Sequence, residues 1–387
     1  MTKAIKAVRK KRMKTYKNLF QKMQTEEAVI KAISDATHGR HKWKRKDVKK
    51  AFAHLGSFIT DILNSLEHYQ NAEHTPKEIY DGISRKKRTI LAPTYKEQVM
   101  HHMIVKILEP MFWKGAYDHA YGSLPDRGVH AAKCHIEKWI KKDSENCKYC
   151  IKMDIKKYFE SIPHDILKQK LDKQLKDERV KQMLFTIIDV TNKGLPLGFY
   201  TSQWLAMWYL QDFDHFVKEQ CYAPHYVRYM DDLIIFGADK YKLKETLIKA
   251  KQYLDKLGLQ LNQKTQLFVF SNPCGGRDLD FMGFRFYYNR TILRKNIMYK
   301  MCRKARKISI KFRPTLYEVR QIMSYLSWLH YCNIYNVWVD RIEGLVNIHK
   351  SRRRVSWFDK THKITRSVWE EFEDVVQSSD GWLLTAA

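Results

Sequence analysis

His225-Tyr-Val-Arg-Tyr-Met-Asp-Asp-Leu-Ile-Ile-Phe-Gly237 sets two adjacent carboxylates, Asp231 and Asp232, between two short runs of β-branched and aromatic residues. Runs of that composition read as strands, which makes Tyr229-Met230-Asp231-Asp232 the tip of a hairpin. Two acids side by side on a tight turn repel when both are charged, unless a cation sits with them. Hard carboxylate oxygens suit a divalent ion such as magnesium. A turn with two solvated acids would look the same locally, so the decision depends on a third carboxylate elsewhere.

Tyr149-Cys-Ile-Lys-Met-Asp-Ile155 supplies it. In a strand, Ile151, Met153 and Ile155 face one way while Cys150, Lys152 and Asp154 face the other, leaving Asp154 at the end of the open face. Asp154 and Asp231 are separated by 76 residues holding two helical segments. That allows the two strands to pair antiparallel with all three acids at one sheet edge. Three carboxylates so placed hold two divalent ions. One lowers the pKa of an attacking primer hydroxyl and the other neutralises leaving pyrophosphate. The Ile155 carbonyl offers a further hard oxygen.

The charge balance points to a polyanionic partner. Lys and Arg number 71 against 42 Asp and Glu, a net +29 over 387 residues. Residues 1–50 carry 17 basic and 4 acidic side chains, and residues 285–355 carry 17 and 3. Basic flanks around a more balanced centre suit a protein that grips phosphate backbone on both sides of a site. Seven cysteines without framework spacing indicate a reducing compartment. Cys147-Lys-Tyr-Cys150 is a lone CxxC without the second pair of a zinc finger. With no signal-peptide core or spanning apolar run, a cytoplasmic protein with no membrane partner is expected.

Periodicity predicts a basic helix over 1–36, an amphipathic helix over 46–70 and a polar connector over 71–81. A basic strand is expected over 84–93, then a helix over 96–112 interrupted at its end by Pro110. Further helices are expected over 129–142, 164–192, 201–219 and 240–257. Strands are expected at 265–270 and 280–288, with helices from 295 onward. His101 and His102 fit a structural or RNA-contact role better than metal ligation.

Several of these segments together resemble one family. Asp154 followed by Phe159, Leu195-Pro-Leu-Gly198 with Ser202-Gln203, Tyr229-Met-Asp-Asp232, Lys264, and Phe281-Met-Gly283 occur in the order of reverse-transcriptase palm motifs. The resemblance runs from about Arg88 to Phe284. It implies an α+β right-hand polymerase fold, fingers and palm with an antiparallel sheet plus a helical thumb. The expected division is a basic helical N-terminal extension (1–75), fingers (76–148), palm (149–290, with a fingers insert at about 164–195), thumb (291–366) and an acidic, aromatic tail (367–387).

By the same resemblance, Asp154, Asp231 and Asp232 would be catalytic and, with Ile155, would hold two magnesium ions, manganese being an alternative. Phe159 would be the steric gate against a 2′-hydroxyl, its alternative being a core phenylalanine. Arg88 would hold the triphosphate, with Lys86, Lys87 and Arg127 as neighbouring candidates. Leu197, Gly198 and Gln203 would line the nucleotide site, Gly198 by allowing close backbone approach. Leu197 replaces the glutamine of retroviral enzymes, which implies altered fidelity. Lys264 would protonate the leaving group, with a surface lysine as its alternative. Phe281, Met282 and Gly283 would form the primer grip. Arg127, Arg303, Lys304 and Lys307 would contact nucleic acid, with Ser351-Arg-Arg-Arg354 extending that track.

The type also resembles bacterial retroelement enzymes, through Ser202-Gln203, Val99-Met-His-His102 and Leu108-Glu-Pro110. Diversity-generating retroelements are the nearest pattern, with defence-associated enzymes sharing the traits. Ala120-Tyr-Gly-Ser-Leu-Pro-Asp-Arg-Gly128 departs from the group II intron pattern. The implied function is an RNA-directed DNA polymerase copying a dedicated noncoding or template RNA. Its partners would be that RNA, a DNA or RNA primer, the cDNA product, deoxynucleotides and, in the diversity-generating case, a small accessory protein. Antiviral defence with an associated noncoding RNA is one alternative, and an RNA-binding scaffold without synthesis is another.

Overall fold

A computed structural model describes residues 14–37, 42–80, 87–333 and 335–361. The start of the predicted N-terminal helix, Lys86 and the acidic tail lie outside these residues. The chain divides into two compact units, Met1–Phe270 and Ser271–Ala387. Residues 271–290, expected within the palm, group with the C-terminal helices.

Ten strands are described: β1 Pro76–Tyr80, β2 Lys87–Leu91, β3 Ala120–Tyr121, β4 Tyr149–Asp154, β5 His225–Tyr229, β6 Asp232–Gly237, β7 Gln266–Val269, β8 Leu279–Phe281, β9 Phe284–Phe286 and β10 Thr291–Leu293. The first unit centres on a five-stranded sheet of order β3-β5-β6-β4-β7. The pairs β5–β6, β6–β4 and β4–β7 are antiparallel, but β3 runs parallel to β5. The sheet is therefore mixed rather than wholly antiparallel. Ile151 and Met153 of β4 and Leu233 to Phe236 of β6 are buried. Both central strands are near-continuous apolar runs, as strands covered on both faces require. Cys150 is buried as well, so the open side of β4 begins at Lys152. Helix Lys240–Lys256 packs against β6 and β4, and helix Val129–Lys142 against β5 and β3.

Four sequence expectations need correction. The 1–36 helix reduces, among the described residues, to a turn at Phe20–Lys22 and a helix at Glu26–Thr37. The backbone before it is engaged at long range. Tyr16 bridges Leu175, and the Leu19 and Phe20 N–H groups donate to Asp177 Oδ2 at 2.6 and 2.9 Å. The 46–70 helix breaks at His54 (φ −135°, ψ 56°). The polar connector contains β1, antiparallel to β2. It escaped notice because β1 is exposed at every position and so shows no apolar alternation. The 201–219 helix is interrupted at Leu210 and finishes as a π-helical turn at Phe216–Gln220. Helix Tyr95–Trp113 starts at a Thr94/Glu97 capping box and continues through Pro110.

The second unit pairs β8, β9 and β10 in an antiparallel sheet and adds helices Lys295–Ser309, Leu316–His330 and Ile348–Thr361. The predicted 280–288 strand is a hairpin, β8–β9, turning at Met282-Gly283. Its core stripe on the second helix is Val319, Ile322, Leu326 and Leu329, while Tyr331 just beyond that helix is exposed.

Candidate active site

The register of the central strands brings the acids together. Asp154, the last residue of β4, stands opposite Asp232, the first of β6. Tyr229 and Asp232 close the β5–β6 hairpin around Met230 and Asp231. The Ile155 N–H donates to the Asp231 carbonyl at 3.1 Å, tying the residue after β4 to the turn. Asp154 is oriented by a residue that sequence reasoning passed over. Asn262 donates its backbone N–H to the Asp154 carbonyl at 2.7 Å and its side-chain amide to Asp154 Oδ2 at 2.9 Å. The N–H of Lys264 in turn donates to Asn262 Oδ1 at 3.2 Å, which fixes the amide.

The turn carries local strain. Met230 has φ 55°, in the left-handed region that a β-carbon disfavours. Such a conformation persists only where the surroundings over-determine it. Here the Met230 N–H donates to the Tyr121 carbonyl at 3.0 Å, and its carbonyl accepts from Arg228 Nη1 at 3.2 Å. Gly122 (φ 101°) makes room for the side chain, since a β-carbon there would lie 2.8 Å from Met230 Cγ. Two-residue β3 thus acts as a backing strip for the turn.

Arg228 is fully buried and clamped by Asp214: Nε donates to Oδ1 at 2.7 Å and Nη2 to Oδ2 at 2.6 Å. The Tyr226 hydroxyl donates to the same carboxylate at 2.6 Å. Burial works against the charged guanidinium, but Asp214 outweighs it and holds the Arg228 pKa above its ordinary value. An arginine two residues before the turn, with an acid on the preceding helix, was the available signal for this pair.

Around this centre the structure joins some predicted residues and separates others. The Leu91 N–H donates to the Leu197 carbonyl at 2.8 Å, linking β2, which carries exposed Arg88, to the Leu197-Gly198 loop. Gly198 (φ 109°) is needed for that contact, because a β-carbon would lie 2.3 Å from the Leu91 carbonyl oxygen. The chain's own strand thus comes close to Gly198, a contact beyond the one expected of it. Phe159, partly exposed, follows β4 within the short helix Tyr158–Ser161, and its carbonyl accepts from the Leu195 N–H at 2.7 Å. Gln203 and Lys264 are exposed. Arg127 has a structural commitment: Nη1 donates to the Tyr117 carbonyl at 2.6 Å and the guanidinium covers the Trp113 ring.

In the second unit, Met282 (φ 51°) and Gly283 (φ 88°) form the two-residue turn between Phe281 and Phe284. Arg303 and Lys307 are exposed on the helix whose other face buries Ile297, Met301, Ala305 and Ile308; Lys304 is partly exposed. His101 is buried against Phe199, and burial depresses its pKa to about 4. His102 stacks on Tyr200 and is likewise depressed to about 4 by burial. Burial pushes the Cys147 thiol up to about 12 and raises Cys150 as well.

Among the described residues, no three His, Cys, Asp or Glu side chains form a group able to hold a metal ion unaided. Magnesium is ordinarily bound by one or two carboxylates together with substrate phosphates. The hard oxygens of Asp154 and the turn acids fit that partial share.

Residues 75–286, more than half of the chain, match the family described as reverse transcriptase (RNA-dependent DNA polymerase). The chain belongs to that family, and its α+β architecture is that of the right-hand polymerases. Membership carries a general dependence on divalent metal. The chain is 27% identical over 146 residues to the group II intron-encoded protein LtrA of Lactococcus lactis, covering 35% of this chain and 24% of that protein. It is 23% identical over 150 residues to protein YkfC of Escherichia coli, covering 35% and 38%. With the retron Ec73 reverse transcriptase of Escherichia coli the match is 25% over 237 residues, covering 57% and 69%. The chain thus spans about a quarter of the length of LtrA, and its relatives include a bacterial group II intron protein and a bacterial retron reverse transcriptase. Among the described residues no helix is long and apolar enough to cross a membrane.

Proposed function

We propose that the chain is an RNA-directed DNA polymerase that copies a dedicated noncoding or template RNA into cDNA. The observation that carries this is the Asp154–Asp232 pairing across β4 and β6 beside a braced, strained turn bearing Asp231. Asp154, Asp231 and, at greater remove, Asp232, with the Ile155 carbonyl, would hold magnesium or manganese. When bound, the ions lower the pKa of the primer hydroxyl and neutralise the departing pyrophosphate. Asn262 orients the Asp154 carboxylate, and Arg228 and Gly122 hold the turn at its angle. Arg88 binds the triphosphate through its planar guanidinium, and Leu197, Gly198 and Gln203 border the base and sugar. Phe159 excludes a 2′-hydroxyl, and Lys264 supplies a proton to the leaving group. Phe281-Met282-Gly283 steadies the primer end, and Arg303, Lys304 and Lys307 follow the duplex backbone. Arg127 contributes by fixing the loop that carries Gly122.

Deoxynucleotide incorporation on RNA and DNA templates, with Asp231→Asn and Asp232→Asn as controls, tests this. Magnesium-dependent synthesis on RNA that both variants lose is the expected result. A purified chain that incorporates nothing with its own RNA would overturn the reading in favour of a binding scaffold. For the sugar gate, Phe159→Ala should raise ribonucleotide use, and unchanged sugar selection removes Phe159 from that role. The biological setting proposed is a diversity-generating-type retroelement, on the strength of Ser202-Gln203 and the segment Ala120–Gly128. A variable repeat and a gene for a small basic accessory protein beside this one would support it. A structured RNA upstream of a lone gene would point to antiviral defence instead.

A further inference from the structure

Ile310-Lys-Phe-Arg-Pro314 joins helices Lys295–Ser309 and Leu316–His330 and turns its largest apolar groups outward, Ile310 being 84% and Phe312 96% exposed. An exposed ring forgoes about 2 kcal/mol of burial. The loop edges a cleft of about 670 Å³ into which Lys311, Arg313, Lys350 and Arg354 contribute. Among the described residues none lining it is acidic. Lys311 is paired with Glu318 at 2.6 Å, so the cleft's charge rests chiefly on Arg313, Lys350 and Arg354. Arg354 Nη1 donates to the Pro314 carbonyl at 2.6 Å, which fastens helix Ile348–Thr361 to the loop and holds ring and cations together. The first turn of that helix also faces the cleft through Asn347 and Ser351, adding its positive end.

Cations alternating with an outward ring match an unpaired polynucleotide, whose phosphates meet the cations while a base stacks on the ring. A duplex hides its base faces, and an acidic peptide would leave the ring unused. We propose that this cleft binds a single-stranded segment of RNA, with one base stacked on Phe312 and the flanking phosphates on Arg313, Lys350 and Arg354. The choice of RNA over DNA rests on the function proposed above.

The probe is an eight-nucleotide oligouridylate carrying one 4-thiouridine, used with the full chain. Photo-crosslinking should label the 310–314 peptide. In anisotropy titrations Phe312→Ala should weaken binding about tenfold, and Phe312→Trp should retain it. Arg313→Ala with Lys350→Ala should lower the log–log salt slope by about 1.4. Because Phe312 is exposed, thermal unfolding of its variants should match the parent. Labelling only outside 310–314, unchanged affinity in Phe312→Ala, or an equal loss on a blunt duplex would overturn the site. Equal, Phe312-dependent binding of oligothymidylate would overturn the assignment to RNA. Asp231→Asn should abolish incorporation yet keep the crosslink, so the site and the polymerase reading fail separately.

Discussion

The chain builds the same kind of tight hairpin turn twice and braces the two by different means. Tyr229-Met230-Asp231-Asp232 and Phe281-Met282-Gly283-Phe284 each place a methionine in the left-handed region, at φ 55° and 51°. The first is held by polar groups from outside the hairpin loop: the Tyr121 carbonyl, the Arg228 guanidinium and the space above Gly122. Among the described residues the second has a single outside hydrogen bond, the Arg294 N–H donating to the Gly283 carbonyl at 2.9 Å, and is otherwise enclosed by apolar matter, since a β-carbon on Gly283 would meet Ile297 at 2.9 Å and Trp328 at 3.1 Å. A turn that carries acids for chemistry is fixed by directional bonds, which set an angle. A turn that offers only its backbone is fixed chiefly by packing, which sets a position.

The sharpest way to separate them is chemical. Asp231→Asn should lower deoxynucleotide incorporation by at least about 10³-fold while leaving the unfolding midpoint nearly unchanged, because the loss falls on charge stabilisation in the transition state. A variant retaining a tenth of the parent rate would end the claim that this turn is the reactive one.

Next in size is the brace itself. Arg228→Leu leaves Asp214 buried without its cation and should cost about 3–5 kcal/mol by denaturant titration. Adding Asp214→Leu should recover much of the stability but not the incorporation rate, because the Met230 carbonyl still lacks its donor. Full recovery of both would show the pair to be ordinary core filling.

The glycines then divide structure from function. Gly122→Ala should reduce incorporation more than tenfold, beyond the roughly 1–2 kcal/mol of stability that a side chain at φ 101° costs, because its β-carbon displaces Met230 in the acid-bearing turn. Gly283→Ala should mainly destabilise, by about 1–3 kcal/mol, through overpacking against Ile297 and Trp328. Equal profiles for the two would dissolve the contrast. The smallest effect expected is from Met282→Asn, which creates the Asn-Gly pair that two-residue hairpins favour. It should stabilise by about 0.5–1 kcal/mol without altering the metal requirement; destabilisation would mean that the Met282 side chain makes contacts of its own.

What the sequence disclosed follows from how locally each feature is encoded. β4, β5 and β6 were legible because short β-branched runs flank the acids, and the pairing of Asp154 with the turn followed from chain length between them. The three acids, Phe159 and the Leu-Pro-Leu-Gly loop stood out as an ordered set of motifs, with the roles proposed above. Asn262 and Gly122 were not, since each acts on a residue far along the chain and looks ordinary in its own neighbourhood. β1 was hidden for another reason: a ribbon exposed on both faces needs no hydrophobic period. The contact of Gly198 with β2 was hidden because a glycine shows that something comes close without showing what.

The order of the strands also sets a timetable. Asp154 must await Asn262, 108 residues downstream, before its carboxylate is oriented. At ordinary rates of translation that interval is roughly 5 to 20 seconds. A growing chain therefore carries the first acid of the proposed centre for some time without the groups that aim it. Competence arrives late and at once, when β7 closes the sheet, so an interrupted chain is left with an unfinished sheet rather than a weakened enzyme.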